Sequence, residues 1–193
     1  MHKFPISLLL VTCLVTLTLL SGCTSNSQNE GPSRLKETTY NQSSNSEAGL
    51  QWLTIPITDV ITGRQTTISD LASQGKPVIV HTFAVWCPAC SMQLRETKKL
   101  NLNNPGEFII LGVDIDPREN TAQVKNHIEK NKFEGIYVTA PEDFTRSLIN
   151  TVGTQVVQSL PQTIIIRNQS VTYIGDGVFP ESKLKIILSQ LPS

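Results

Sequence analysis

The chain has 193 residues, 39% of them hydrophobic, and its 16 basic and 16 acidic side chains cancel at neutral pH. That length allows one or two domains. Without a basic stripe there is no electrostatic footprint for nucleic acid, and no acidic block reads as a solvating tail.

The first element in chain order is a targeting segment. Met1-His2-Lys3 opens it, and the apolar run Ile6 to Leu20 follows without a charge. The run is shorter than the roughly 20 apolar residues of a comfortable membrane span, which favours a cleaved signal over an anchor helix. It closes on Leu20-Ser21-Gly22-Cys23, which resembles the lipobox of prokaryotic lipoproteins. The resemblance implies a signal peptide over residues 1–22, a lipid on Cys23, and a mature chain held to the bilayer on the extracytoplasmic face of a prokaryotic membrane.

Residues 23–49 are rich in Ser, Asn, Thr and Gln, a composition that cannot bury enough apolar surface to offset chain entropy. They are expected to be a flexible tether, leaving residues 50–193 as one domain. Cysteine usage then sharpens. Of four cysteines, Cys13 lies in the signal and Cys23 at its end, so the folded head holds only Cys87 and Cys90. Two cysteines so close in sequence are no disulfide framework; they belong to chemistry or to a metal.

Within the head, Trp52 to Ile57 and Gln65 to Ile68 read as short β-like pieces around a Thr62-Gly63 turn. Ser69 or Asp70 is placed to cap a brief helical turn ending at Ala72. Pro77 to Val85 is a continuous apolar run, the pattern of a strand covered on both faces. Ser91 to Leu102 lacks Gly and Pro and reads as a helix. Glu107 to Ile115 is the next strand, and Asp116-Pro117 looks like an N-cap and first helical residue for a helix running to about Lys132. A short strand (GIYVTA) and a helix ending at Gly153 follow. Thr163 to Ile166 and Val171 to Ile174 form a hairpin, and Pro180 opens a last helix over Glu181 to Leu191. Alternation of this kind predicts an α/β sandwich: a mixed central sheet with helices on both faces.

The segment VIVHTFAVWCPACSMQL, residues 78–94, resembles the active-site strand, turn and helix of the thioredoxin superfamily, with Trp86-Cys87-Pro88-Ala89-Cys90 at the W-C-x-x-C position. SLPQTIII resembles that family's cis-proline loop and places Pro161 opposite the cysteines. The extra βα unit near Asp116 to Ala140 resembles the membrane-anchored extracytoplasmic branch that includes the cytochrome-maturation thiol reductases. The resemblance implies a thioredoxin-like three-layer sandwich with a βα insertion. It further implies thiol–disulfide exchange with extracytoplasmic proteins, electrons passed to or from a membrane redox partner, no bound cofactor, and reduction as the favoured direction.

The physical chemistry agrees. A thiolate attacks a disulfide, and Cys87 at the amino end of a helix would meet unpaired N–H groups and the positive end of the dipole. Pro88 starts that helix where its missing donor costs nothing. Cys90, one turn further in, would be the resolving thiol. Trp86 is either an apolar wall for docked substrate or simple packing. Leu160, before Pro161, offers backbone to an extended substrate segment. His81, where thioredoxins carry a buried Asp, is either a proton acceptor for Cys90 or a buried histidine with a structural role. His127 is expected on a helix surface.

Other readings fit less well. Peroxide chemistry in this fold wants a threonine where Ala84 stands, and a structural zinc site needs four ligands. Copper delivery through Cys87, Cys90 and a histidine is the alternative. Its usual pattern has three residues between the cysteines, where this chain has two.

Overall fold

The computed structural model describes residues 38–40 and 50–191. The expected signal peptide, Cys23 and the rest of the tether lie outside the described residues. Among the described residues, eight strands and six helices are formed in order: β1 (Thr38–Tyr40), β2 (Ile57–Thr58), β3 (Gln65–Thr66), α1 (Ile68–Ala72), β4 (Val78–Phe83), α2 (Pro88–Asn103), β5 (Ile109–Asp114), α3 (Thr121–Asn131), β6 (Ile136–Thr139), α4 (Glu142–Val152), α5 (Gln155–Gln158), β7 (Gln162–Arg167), β8 (Ser170–Asp176) and α6 (Glu181–Gln190). A single 3₁₀ turn, Gln51–Leu53, precedes β2.

The main sheet runs β1-β8-β7-β4-β5-β6, and β2 and β3 form a separate small ribbon. The β4–β5 and β5–β6 pairs are parallel, as crossover helices require, while β7 and β8 return antiparallel as a hairpin. This is a thioredoxin-like mixed sheet. Every residue of β4 is buried, as its unbroken apolar run demands of a strand covered on both sides.

Alternate residues of β4 serve opposite layers. Val78 and Val80 join a core beneath the 3₁₀ turn, α1 and α4. Ile79 packs toward α6, and Phe83 toward α2 and α3, with Cys87, Cys90, Leu94 and Val124. The hairpin turn is made by Asn168 and Gln169, both at positive φ (49° and 63°), the twist that suits two antiparallel strands.

Three local expectations are corrected by the contacts the structure shows. Trp52 sits in the 3₁₀ turn rather than a strand, because its N–H donates to Ser147 Oγ at 2.9 Å and its ring meets Phe144 edge-on at 5.8 Å. The cap of α1 is Thr67, reciprocally bonded with Asp70, not Ser69 or Asp70. The cap of α3 is Asn120, boxed with Gln123, not Asp116. Thr38–Tyr40, inside the segment read as a tether, pairs antiparallel with β8.

Candidate active site

The redox pair stands at the amino end of α2. Cys87 is its N-cap, in extended backbone, and Pro88 occupies the first helical position. The two sulfurs are bonded in a Cys87–Cys90 disulfide. The backbone N–H of Cys90 donates to Cys87 Sγ at 3.1 Å, so an orphan donor of the first helical turn is aimed at that sulfur. Cys87 is 5% exposed and Cys90 1%. Cys87 is the less enclosed of the two.

The loop after β5 wraps the entry to this helix. Trp86, 61% exposed, donates its indole N–H to Asp116 Oδ2 at 2.6 Å. Arg118 grips the same carboxylate through Nε at 2.9 Å and a second guanidinium nitrogen at 2.6 Å. These bonds, Arg118 first and Trp86 second, hold the Asp116 carboxyl far below the usual carboxylate range. The backbone N–H of Val85 donates to Glu119 Oε2 at 2.8 Å. Beneath lies Asp114, fully buried, whose Oδ1 accepts the backbone N–H of Asp116 at 3.2 Å while Oδ2 meets no donor. Burial, reinforced by the facing Glu119 carboxyl, pushes Asp114 up to about 7.

His81 is buried in β4, and both ring nitrogens are engaged: Nδ1 with Thr163 Oγ1 at 3.1 Å and Nε2 with Thr97 Oγ1 at 2.8 Å. Desolvation lowers its pKa to about 4, so the ring is neutral at physiological pH and a weak base. So held, it ties β4 to β7 and α2. His127 is not a free surface residue. It is half-buried beside Phe83 and Phe133, with Nε2 at 3.3 Å from Ser91 Oγ, and burial lowers its pKa.

Opposite the cysteines, the Leu160-Pro161 peptide is cis, and Leu160 packs against the cluster that contains Cys87 and Cys90. The loop is held from below by Gln162, a fully buried residue. Its Nε2 donates to the carbonyls of Gln155, at 3.1 Å, and of Ser159, and its Oε1 accepts from Tyr173 O–H at 2.5 Å.

The structure thus brings Trp86, Cys87, Pro88, Cys90 and Leu160-Pro161 to one end of the sheet, with His81 on β4 behind α2. Cys23 lies outside the described residues. Sequence reasoning missed Asp114, Asp116, Glu119 and Gln162. The run Asp114-Ile115-Asp116 at the carboxyl end of a strand was a visible signal, because that is the sheet edge where α/β sites form. Gln162 gave none, as a buried amide is chosen by partners distant in sequence. Among the described residues, no three His, Cys, Asp or Glu side chains are grouped to hold a metal ion, and no helix is long and apolar enough to cross a membrane.

Known structures share this architecture. A secreted disulfide oxidoreductase of Mycobacterium tuberculosis, homologous to Escherichia coli DsbE, superposes with a TM-score of 0.57 at 14% identity, over 73% of this chain and 98% of its own. A thiol:disulfide interchange protein of Chlorobium tepidum gives 0.56 at 18% identity, over 70% and 90%. StoA of Bacillus subtilis gives 0.52 at 20% identity, over 68% and 93%. No curated protein sequence matches the chain. The profile of the Redoxin family matches residues 56–191, a span that takes in the whole site, and the chain belongs to that family.

Proposed function

We propose that the protein is an extracytoplasmic thiol–disulfide oxidoreductase, anchored through a lipid on Cys23 and working as a reductase through Cys87 and Cys90. The observation that carries this reading is the disulfide at the N-terminus of α2, with Cys87 Sγ capped by an amide donor and marginally exposed while Cys90 is sealed. An amide donor and the helix dipole favour a thiolate on Cys87 when the pair is reduced. That thiolate attacks a partner's disulfide and expels one partner sulfur. Cys90 then loses its proton and attacks Cys87 Sγ, which frees the second partner sulfur and regenerates the disulfide.

Each turnover moves two electrons to the partner, so a membrane-bound thiol donor must restore the dithiol. The exposed Trp86 and the loop ending at Leu160-Pro161 flank Cys87 and form the docking surface. The secreted mycobacterial neighbour and the sequence of residues 1–23 support an extracytoplasmic location. Copper delivery lacks a ready third ligand, because both ring nitrogens of His81 are already bonded. The reading is tested by mixing the reduced protein with a disulfide-bonded protein substrate and counting released thiols. Wild type releases them catalytically in the presence of a thiol donor, Cys87→Ser releases none, and Cys90→Ser accumulates a mixed disulfide.

A further inference from the structure

A glutamine stands on the inner face of α2, where Cys90 and Leu94 beside it are core residues. Gln93 lies three residues beyond Cys90, on the same side of the helix, and is fully buried. A buried amide is costly unless its polar atoms find partners. Here the partners are the backbone groups of Phe179, in the loop between β8 and α6. The N–H of Phe179 donates to Gln93 Oε1 at 2.6 Å, and Gln93 Nε2 donates to the Phe179 carbonyl at 3.4 Å. The side chain thus pairs with one loop residue through both of its backbone groups, as a neighbouring strand would. Its second N–H goes to Thr97 Oγ1 at 3.2 Å, and that hydroxyl is bonded to His81 Nε2 at 2.8 Å.

The loop held in this way reaches the site. Gly177, two residues before Phe179, adopts a φ of 86° and donates its N–H to the carbonyl of Pro161 at 3.0 Å. Pro161 follows Leu160, which packs against the cluster containing Cys87 and Cys90. A continuous line of bonds therefore runs from the cysteine-bearing helix, through Gln93, Phe179 and Gly177, to the loop opposite the cysteines. Val178, between the two bonded residues, is left 38% exposed. The start of α6 has its own hold on α2, because the N–H of Glu181 donates to Glu96 Oε2 at 3.0 Å. Loss of the Gln93 amide would free the loop and leave that helix in place.

We propose that Gln93 is a positioning residue for partner docking: its amide sets the spacing between α2 and the Leu160-Pro161 loop and holds Val178 at the edge of the docking surface. This rests on the oxidoreductase reading above. The polar atoms of Gln93 meet the loop and Thr97, not the sulfurs, so its effect falls on the binding of a polypeptide and not on electron transfer. A small disulfide, which needs only Cys87, does not sense it.

The test is steady-state reduction of a disulfide-bonded protein and of a small disulfide by the full chain, with a thiol donor, in wild type, Gln93→Met, Thr97→Val and Leu148→Ala. Methionine matches glutamine in length and removes all three bonds. Thr97→Val removes one and leaves both bonds to Phe179, and Leu148→Ala opens a cavity in the core cluster under α4. Gln93→Met should raise KM for the protein disulfide about fivefold, with kcat and the small-disulfide rate changed by less than about twofold. Thr97→Val and Leu148→Ala should lose stability without that rise in KM. An unchanged KM in Gln93→Met, or an equal rise in all three variants, overturns the proposal. If Gln93→Met fails to fold, amide hydrogen exchange in wild type decides. Protection of the Phe179 and Gly177 amides close to that of α2 supports the clamp, and exchange at the rate of a free loop sinks it. A wild type that reduces neither disulfide would instead overturn the oxidoreductase reading itself.

Discussion

The backbone N–H of Cys90 points at the sulfur of Cys87 across 3.1 Å, so the helix offers its free donor to one cysteine while enclosing the other. Reduced, Cys87 should ionise at least a pH unit below the ordinary thiol value of about 8.5, and Cys90 should not. Thiolate absorbance in Cys90→Ala and Cys87→Ala separates the two. At neutral pH, iodoacetamide should label Cys87 first.

Trp86 owes its orientation to Asp116, and Arg118 fixes Asp116 in turn. Asp116→Ala should free the indole and weaken docking of protein substrates by about 1 kcal/mol, roughly fivefold in KM. The reduction potential should move far less, because the capped sulfur is untouched. Steady-state kinetics with a protein disulfide, alongside the same assay with a small disulfide, reads this split.

His81 and Asp114 push stability in opposite directions with pH. The lowered pKa of His81 means that only the unfolded chain takes its proton between about 6.5 and about 4, so stability falls as pH drops through that window, by about 3 kcal/mol in full. Asp114 is raised from 3.8 to about 7, so the folded state keeps its proton longer and stability falls as pH rises through that window. The two slopes nearly cancel in wild type. Urea unfolding should show His81→Gln losing stability as pH rises from about 4 to 7, and Asp114→Asn gaining it from about 4 to 6.5.

Gln162 bears on the loop rather than the sulfurs. Gln162→Ala strands the carbonyl of Ser159 and the hydroxyl of Tyr173 and takes one of two donors from the carbonyl of Gln155, which should cost about 2 kcal/mol. Chemical denaturation measures that loss. Gln162→Glu keeps the acceptor for Tyr173 but sets a buried carboxyl oxygen against the two carbonyls, and at neutral pH it should cost at least as much as Gln162→Ala.

What could be read from the chain alone was what local pattern dictates. The buried run of β4, the C-x-x-C spacing behind it and the proline before β7 are contiguous signals, and each sits where its pattern required. What escaped was written across the sequence. Asp116 reads locally as a helix cap, yet Trp86, thirty residues away, claims its carboxylate. Trp52 reads as strand until Ser147 takes its amide proton. The burial of Asp114 follows from β5 lying inside the sheet, and the bond from Val85 to Glu119 from a loop folded back over 34 residues. His81 was legible as a buried site-proximal imidazole, but its threonine partners, Thr97 and Thr163, come from two other elements.

As a reductase, the protein needs Cys87 and Cys90 to be a working electron pair that runs toward reduction. Its most direct test is the reduction potential of that pair, obtained by equilibrating the protein in graded thiol–disulfide buffers and quantifying free thiols by alkylation. A reductase should show a reversible two-electron couple near thioredoxin's value of about −270 mV. A value near about −120 mV would make the protein an oxidant of thiols and reverse the stated direction. A pair with no reversible couple would contradict the function altogether.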